Sequence, residues 1–382
     1  MSSVKGGIQK VAIPGVYVPP PEGYLNISQL IDFLKCRYRW NLGYKRGISS
    51  RVGNRAIDVG SAVHAGIAIA FRMHGDVKKF KKSMLADVIK AGSDEAEKYV
   101  VAAAKARGGL DLLSEEERAD YDDALSSAPQ VLHRALTRIR LERFKTVRHN
   151  KKPIVEMTFQ SPIAKHTGWL GFHFTVDSVL ENLELGGEWL WDYKCRKKFT
   201  SKEDEEVNLQ APGYQRGLAH HGIKTVGSVM FQISSKPEGT PKILKSGEAM
   251  SKADIHCSWD TYKAALLEAG FEPKEYLDMR EKLKDKRFID EDPIYRSPAA
   301  VGWIWKEVIE KGAAAMTNAH VNGEGDLRSM HMMGCKGCWA RRFCQTELMF
   351  EDTDFLLQTD YVDKNNPQER VVLKPSDLSF TD

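Results

Sequence analysis

Residues 171–196 read GFHFTVDSVLENLELGGEWLWDYKCR, and this stretch decides the fold. Apolar, β-branched and aromatic residues fill both of its ends, and the pair Gly186-Gly187 between them marks a tight turn. The stretch therefore predicts two adjacent strands, 172–180 and 188–193. A strand before them, and a short helix and a strand after them, are predicted over 154–163, 214–221 and 226–234. Because helical periodicity returns on both sides, the chain is predicted to be an α/β protein with helical additions.

An acidic residue lies in each of the two strands: Asp177 in the first and Asp192 in the second. The turn would bring the two carboxylates onto neighbouring strands, where they repel each other unless a divalent cation such as Mg²⁺ or Mn²⁺ neutralises them. Side chains alternate along a strand, so Lys194 points the same way as Asp192. Paired carboxylates, a cation and a lysine are the parts that phosphodiester hydrolysis needs, although Asp192 and Lys194 alone would also fit a surface ion pair.

The composition narrows the classes of protein without choosing among them. The 382 residues carry 56 Lys and Arg against 52 Asp and Glu, and the net charge of +4 permits a nucleic-acid partner without demanding one. No apolar run approaches the roughly 18 residues that span a bilayer, and residues 1–15 lack the apolar stretch of a secretory signal. We therefore expect a cytoplasmic protein with no membrane partner. No G-x-x-x-x-G-K-[ST] loop occurs, so a nucleotide-driven motor is not expected in this chain.

The order of motifs along the chain resembles the PD-(D/E)XK nuclease superfamily, in its RecB-like branch. An aspartate that follows a glycine is succeeded by D-x-K on the next strand and then by Q-x-x-x-Y, and a G-x-x-x-H element comes well before them. Each motif is unspecific alone, but the order and spacing of all of them are fairly specific. The matching residues are Gly60 with His64, Gly171 with Asp177, Asp192 with Lys194, and Gln210 with Tyr214.

This resemblance implies a restriction-endonuclease-like core, with a central mixed sheet flanked by helices. It also implies that His64, Asp177 and Asp192 bind Mg²⁺ or Mn²⁺ and that Lys194 serves catalysis. Glu156, on the first strand, matches a further acidic position of some members. A satisfied core histidine and a solvated strand residue are the structural alternatives for His64 and Glu156.

The Q-x-x-x-Y element is implied to steady the DNA or the site through Gln210 and Tyr214. Pro212 stands between these two residues. Because proline is tolerated only in the first turn of a helix, we expect Gln210 to sit on the approach to the helix rather than in it.

Three cysteines crowd into a C-x2-C-x5-C pattern near the C-terminus. Three thiolates need a fourth ligand to close a metal or cluster site. From spacing alone, Zn²⁺ and an iron–sulfur cluster are about equally compatible with this pattern. The triplet is Cys335, Cys338 and Cys344, and the candidates for the fourth ligand are Cys36, Cys195, Cys257 and His331.

The segment around Cys36 resembles the entry helix of the iron–sulfur members of the RecB-like branch, which include AddB nucleases and CRISPR-associated RecB-like exonucleases. In those proteins one early cysteine joins a late triplet around a 4Fe-4S cluster. The resemblance therefore implies a 4Fe-4S cluster on Cys36, Cys335, Cys338 and Cys344, with zinc less expected. Such a site would pin the C-terminal segment to the N-terminal helix.

These observations divide the chain into six predicted segments. They are an N-terminal arm and helix with the first cluster cysteine (1–60), a helical lobe with the metal-ligand histidine (61–150), the nuclease core (151–240), a helical extension (241–325), the cysteine segment (326–350) and a loosely attached polar tail (351–382).

The function implied is a metal-dependent exonuclease that hydrolyses phosphodiester bonds at the ends of DNA, preferably single-stranded. It would serve recombination, repair or DNA processing, with a helicase or recombination protein as a possible partner. The alternative is a non-catalytic DNA-binding or end-trimming subunit of a larger recombination or CRISPR-adaptation complex.

Overall fold

The computed structural model describes residues 23–50, 55–76, 84–106, 115–253, 255–284, 286, 288–329, 335–359 and 361–363. A seven-stranded sheet lies at its centre, and two small two-stranded sheets accompany it. The strands are β1 (Tyr24–Leu25), β2 (Ile48–Ser50), β3 (Phe144–Thr146), β4 (Arg148–His149), β5 (Lys152–Pro153), β6 (Val155–Ser161), β7 (Gly171–Asn182), β8 (Glu188–Arg196), β9 (Thr225–Ser234), β10 (Ile289–Tyr295) and β11 (Tyr361–Asp363).

The central sheet is mixed, as predicted. The long strand β7 pairs antiparallel with β8, and β8 pairs parallel with β9. β10 extends the sheet antiparallel to β9, while β6 and β3 pair antiparallel with β7 and β1 pairs parallel with it. The three-strand meander predicted from the sequence is thus β6, β7 and β8, with β9 following the helix.

Helices cover both faces of this sheet. They are α1 (Ile27–Lys35), α2 (Arg37–Trp40), α3 (Arg55–Asp76), α4 (Leu85–Ala106), α5 (Glu115–Ile139), α6 (Lys202–Glu206), α7 (Gln210–Ala219), α8 (Trp259–Glu268), α9 (Leu277–Leu283), α10 (Pro298–Ile304), α11 (Lys311–Val321), α12 (Arg341–Leu348) and α13 (Asp354–Thr359). Short π-helical turns at Asn41–Lys45 and Trp305–Glu310 continue α2 and α10.

One face of the sheet packs against α3, α4 and α5. Trp191 and Tyr193 of β8 enter this core together with Val63 of α3 and Leu132 of α5. The crossing of α3 and α4 is close because Gly66 leaves room for it: a Cβ there would lie 2.7 Å from the carbonyl oxygen of Gly92. This packing holds α3 against the sheet along its length, and α3 is the helix that carries His64.

The opposite face packs against α1, α7 and α11. Phe172 and Phe174 of β7 lie in this second core beside Leu30 of α1 and Leu218 of α7. Asn26 caps α1, because its side chain accepts a hydrogen bond of 2.7 Å from the Gln29 backbone N–H.

The segment predicted as a helical extension, 241–325, also contains a strand. Its helices α8 and α9 form a small core of their own around Tyr262 and Met279. β10 then returns to the central sheet beside β9. Three acidic residues before Pro293 made this strand hard to predict from the sequence. A proline is acceptable there because, among the described strands, β10 pairs only with β9.

Part of the predicted polar tail is ordered, so that prediction is wrong for the residues up to 363. α13 and β11 follow α12, and β11 pairs antiparallel with β2. Leu356 and Tyr361 are buried against Tyr38 and Phe343, which outweighs the polar composition around them. Residues 364–382, like the N-terminal arm up to residue 22, lie outside the described residues.

Within the described part of the chain, no helix is both long enough and apolar enough to traverse a bilayer.

Candidate active site

Three ligand-bearing side chains from three elements meet at one edge of the central sheet. His64 comes from α3, Glu156 from β6 and Asp177 from β7. His64 Nδ1 lies 3.7 Å from Asp177 Oδ2 and 3.8 Å from Glu156 Oε1. One ligand atom from each residue lies within 4.8 Å of the others, and among the described residues this is the one group of that kind. The three side chains are placed as ligands to a single cation would be.

The backbone of Glu156 departs from strand geometry. It stands between the ladder pairs Val155–Ser178 and Met157–Val176, which places it opposite Asp177. Its φ is +47°, in the left-handed region that a side chain such as glutamate rarely occupies. Such a conformation costs on the order of 1–3 kcal/mol and is found where the surrounding structure enforces it, often at functional sites.

Asp192 lies beside this group and is held from two sides. Lys194 Nζ is 2.8 Å from Asp192 Oδ2, which agrees with the predicted common face of the two residues. Gln210 Nε2 donates a hydrogen bond of 3.1 Å to Asp192 Oδ1. On the neighbouring strand, Asp177 Oδ2 accepts a hydrogen bond of 2.7 Å from the Tyr193 backbone N–H. The predicted proximity of Asp177 and Asp192 is therefore confirmed.

The helix that carries Gln210 begins earlier than predicted. Gln210 is the first residue of α7, and its backbone N–H donates to Asn208 Oδ1 at 2.9 Å. Pro212 falls in the first turn, where no intrahelical donor is lost, so it does not interrupt the helix. The expectation that Gln210 lies outside the helix is wrong. Gln210 and Tyr214 lie one turn apart on α7, and Gln210 acts to lower the pKa of Tyr214 against the effect of burial.

The charges at the site perturb one another strongly. Burial is the main reason that the pKa values of Asp177 and Asp192 are raised. The positive charge of His64 acts to lower the pKa of Asp177, and that of Lys194 acts to lower the pKa of Asp192. Burial would lower the pKa of His64, but the charges of Asp177 and Glu156 outweigh it and raise that pKa to about 9. Without a bound cation, a protonated His64 therefore balances the carboxylates.

Lys194 and Tyr214 respond to the same carboxylates. Burial acts to lower the pKa of Lys194, yet the charges of Asp192 and Asp177 raise it, so the ammonium form is stable near neutral pH. The pKa of Tyr214 is raised by burial and by Asp192 and Asp177. Its phenol stays protonated, and its ring stacks on Phe174 with centroids 5.2 Å apart.

The sequence patterns did not indicate two residues that contribute to the site. Arg72 lies two turns after His64 on α3, and the charge of Glu156 acts on its guanidinium, whose pKa burial lowers. Glu205 is buried and accepts hydrogen bonds from Arg196 at 2.9 Å and from Asn208 at 3.0 Å. The helical spacing between His64 and Arg72 could have indicated that Arg72 lies near the site. Nothing in the sequence distinguished Glu205 from the other three acidic residues of the run 203–206.

A family model of the PD-(D/E)XK nuclease superfamily matches residues 24–345. The chain belongs to this superfamily. The matched range runs from β1 into α12 and contains every residue of the site described above. No curated protein matches the chain.

In this PD-(D/E)XK protein Cys36 and the C-terminal cysteine triplet lie around a small core at the ends of the described chain. Cys36 separates α1 from α2, and it packs with Cys338 and Cys344 against the core that contains Phe343. The charges of Cys36 and Cys335 both act on Cys344, so these sulfurs are neighbours. All of them are free thiols of intermediate burial.

The other candidates for a fourth cysteine-site ligand lie elsewhere or outside the described residues. Cys195 packs against the core on the α3 side of the sheet, and Cys257 is buried in the core of the α8–α9 insertion. His331 is outside the described residues. Cys36 is thus the described candidate that lies beside the triplet.

A network of polar side chains braces the cysteine region. Glu347 accepts hydrogen bonds from the Tyr38 hydroxyl at 2.7 Å, from Arg46 at 2.7 Å and from Arg328 at 2.8 Å. The Arg328 guanidinium also lies 4.1 Å from the centre of the Tyr38 ring. This network joins α2 to α12 independently of the thiols.

Proposed function

We propose that this protein is a metal-dependent exonuclease that hydrolyses phosphodiester bonds at DNA ends. The observation that carries the proposal is the convergence of His64, Glu156 and Asp177, with ligand atoms within 4.8 Å of one another, beside the Asp192–Lys194 pair. Membership of the superfamily supplies the reaction class, because its members are nucleases.

The donor set fits a divalent cation. Two carboxylates and one imidazole converge, and the repulsion of Glu156 and Asp177 contributes to the raised pKa of Asp177. Carboxylate oxygens suit Mg²⁺ and Mn²⁺, and a single imidazole is compatible with Mn²⁺ in particular. We infer that His64, Glu156 and Asp177 hold the ion, with Asp192 as a further ligand on the side of Lys194.

A bound cation supplies positive charge that polarises a phosphoryl oxygen and acidifies a nearby water molecule. Lys194 has its ammonium group 2.8 Å from Asp192, where it orients the attacking water and stabilises the charge that develops on the phosphate. Gln210 fixes the carboxylate of Asp192, and Tyr214 lies one turn after Gln210 on the same helix. The residues therefore share the work of positioning the attacking group and stabilising the phosphate.

Action on a strand end is supported by how recessed the site is. The catalytic carboxylates lie where α3 and α7 flank opposite faces of the sheet, and the side chain of Asp192 is only 10% exposed. A single-stranded end reaches such groups more readily than the middle of a duplex does. This supports a single-stranded substrate in repair, recombination or related DNA processing.

We further propose that Cys36, Cys335, Cys338 and Cys344 hold a 4Fe-4S cluster. Thiolates are the ligands that such clusters require, and these four cysteines share one region of the molecule. A tetrahedral zinc site, with Zn–S distances of about 2.3 Å, would use the same thiolates and is the alternative occupant.

The test is cleavage of end-labelled single- and double-stranded DNA by protein purified without oxygen. We expect cleavage from the labelled ends with Mg²⁺ or Mn²⁺, and none with EDTA or with Lys194→Ala. Lys198→Ala is the matched control, because Lys198 is an exposed lysine just beyond the end of β8. Cleavage that persists in EDTA and in Lys194→Ala would refute the mechanism, and absence of cleavage under every condition would refute the function.

The cluster has its own readout. A brown preparation with absorbance near 400 nm and about four iron atoms per chain is expected. A colourless protein with stoichiometric zinc would refute the cluster while leaving the nuclease proposal standing.

A further inference from the structure

A cavity lies at the far end of α7 from the catalytic carboxylates. Its volume is about 370 Å³, within the range of small-molecule sites. It opens between the C-terminal end of α7, the loop after β6 and the π-helical turn that continues α10. Gln210 and His220 stand at opposite ends of α7, so this cavity is about 15 Å along the helix from the contact between Gln210 and Asp192.

The lining of the cavity is basic. Arg216 and His220 come from α7 and Lys306 comes from the π-helical turn. Arg216 Nε is buried and has no hydrogen-bond partner within the described chain. Lys306 is exposed and makes no ion pair with a described residue. The exposed Lys306 ammonium is therefore available to an anion, and the Arg216 side chain lines the same cavity.

The one acidic residue of the lining is already engaged. Glu310 Oε1 accepts hydrogen bonds from Trp305 Nε1 at 2.9 Å and from the Ala164 backbone N–H at 3.3 Å. Burial lowers the pKa of His220, and the charges of Arg216 and His221 lower it further against the opposing charge of Glu310. The cavity therefore has a positive potential, with a neutral imidazole at its rim.

We propose that this cavity binds a phosphate group, held by Arg216 and Lys306 with His220 as a hydrogen-bonding partner. Two sources share that chemistry: the backbone of a nucleic-acid strand that extends past α7, and a free nucleotide. The first source rests on the proposed nuclease function, whereas the phosphate chemistry does not. With about 3.4 Å per nucleotide of a stacked strand, the cavity lies about four nucleotides from the scissile phosphate.

The experiment measures binding in EDTA, so that cleavage has no influence on it. Fluorescein-labelled single strands of two and of ten thymidines are titrated by anisotropy at several salt concentrations, with thymidine 5′-monophosphate and orthophosphate as competitors. The variants are the double substitution Arg216→Gln with Lys306→Ala and the matched double control Lys224→Ala with Lys242→Ala. The control residues are exposed lysines outside the lining. Thermal melting confirms that each variant is folded.

We expect the Arg216/Lys306 variant to lose about tenfold in affinity for the ten-nucleotide strand and about 1.4 units of salt slope, since each lost contact with a single strand removes about 0.7 units. The two-nucleotide strand should bind equally well to all proteins. If only the monophosphate and orthophosphate lose affinity, the source is a free nucleotide. The proposed site would be refuted if the Arg216/Lys306 variant bound every probe as tightly as the wild type does. It would also be refuted if the lysine control lost the same affinity. Neither result would affect the cleavage assay, so the two proposals fail separately.

Discussion

Gln210 donates a hydrogen bond of 3.1 Å to Asp192, and it does so from the first residue of α7, two positions before a proline. Asp192 Oδ1 thereby accepts hydrogen bonds from both Lys194 and Gln210, while the Lys194 ammonium also lies 2.8 Å from Oδ2, and these contacts fix the carboxylate in one orientation. The orientation matters because a ligand that rotates freely must be ordered again each time it binds a cation or substrate.

We predict that Gln210→Ala lowers kcat about 10- to 100-fold, the usual cost of removing a group that orients a metal ligand. Gln215→Ala is the matched control, because Gln215 lies on α7 and bonds Thr225 instead of the site. Steady-state cleavage of labelled single-stranded DNA gives the comparison. Equal rates for Gln210→Ala and the wild type would show that Asp192 needs no support from α7.

The close crossing of α3 and α4 gives a prediction about stability. A methyl group at Gly66 would lie 2.3 Å from Leu132 and 2.7 Å from the carbonyl oxygen of Gly92. Gly66→Ala should therefore lower the free energy of unfolding by about 1–3 kcal/mol through overpacking. Gly302→Ala should raise it by up to about 1 kcal/mol, since Gly302 lies in α10 with nothing within 4 Å of its Cβ position. Denaturant titration measures the free energy of unfolding of both variants. A Gly66→Ala variant more stable than the wild type would contradict the packing described.

The raised pKa of His64 predicts that metal binding is coupled to the release of a proton. Its pKa in the metal-free protein is raised to about 9 by Asp177 and Glu156, against the effect of burial, so the imidazole is protonated at pH 7.5. A metal ligand must be neutral, and Mn²⁺ binding should release close to one proton per ion at pH 7.5 and progressively fewer above pH 9. Calorimetry in buffers of different ionisation enthalpy measures this number. Proton release that is unchanged in His64→Gln would contradict ligation by His64.

The same pKa has a consequence for the stability of the metal-free protein. A histidine whose pKa is raised from 6.5 to about 9 stabilises the fold fully below pH 6.5, and the contribution is lost as the pH rises through 9. The wild type should lose more stability than His64→Gln between pH 6.5 and 9.5. Chemical denaturation in EDTA at these two pH values tests the sign, and a larger loss in the variant would contradict it.

Among the cysteines, we predict that Cys36→Ser abolishes the cluster absorbance and that Cys195→Ser retains it. Cys36 lies beside the triplet, whereas Cys195 packs against the core on the other side of the sheet from α7. Loss of the cluster should also expose α12 to limited proteolysis, although the Glu347 network keeps part of its attachment. An intact spectrum in Cys36→Ser would show that the fourth ligand is another residue.

The sequence was sufficient for the centre of this fold. Alternation along β7 and β8 and the glycine pair between them predicted the hairpin and the adjacency of Asp177 and Asp192. The common face of Asp192 and Lys194 followed from strand geometry alone. These features are local, and local patterns of hydrophobicity and turn residues determine them.

The remaining features depend on contacts that are distant in sequence. The contact of Gln210 with Asp192 joins residues 18 positions apart, and the left-handed backbone of Glu156 depends on its position opposite Asp177. β10 and β11 have too many polar residues to stand out, and each is stabilised by a partner strand far away in the chain. A single sequence does not reveal which distant segments meet.

The most direct test of the central claim is electron paramagnetic resonance of Mn²⁺ added to the metal-free protein. We predict one tightly bound ion per chain, with coupling to one imidazole nitrogen that disappears in His64→Gln, and weaker binding in Glu156→Gln and Asp177→Asn. Asp204→Asn, a change at an exposed carboxylate, should bind as the wild type does. A bound ion that keeps its nitrogen coupling in His64→Gln, or undiminished affinity in Asp177→Asn, would contradict the assignment of this site.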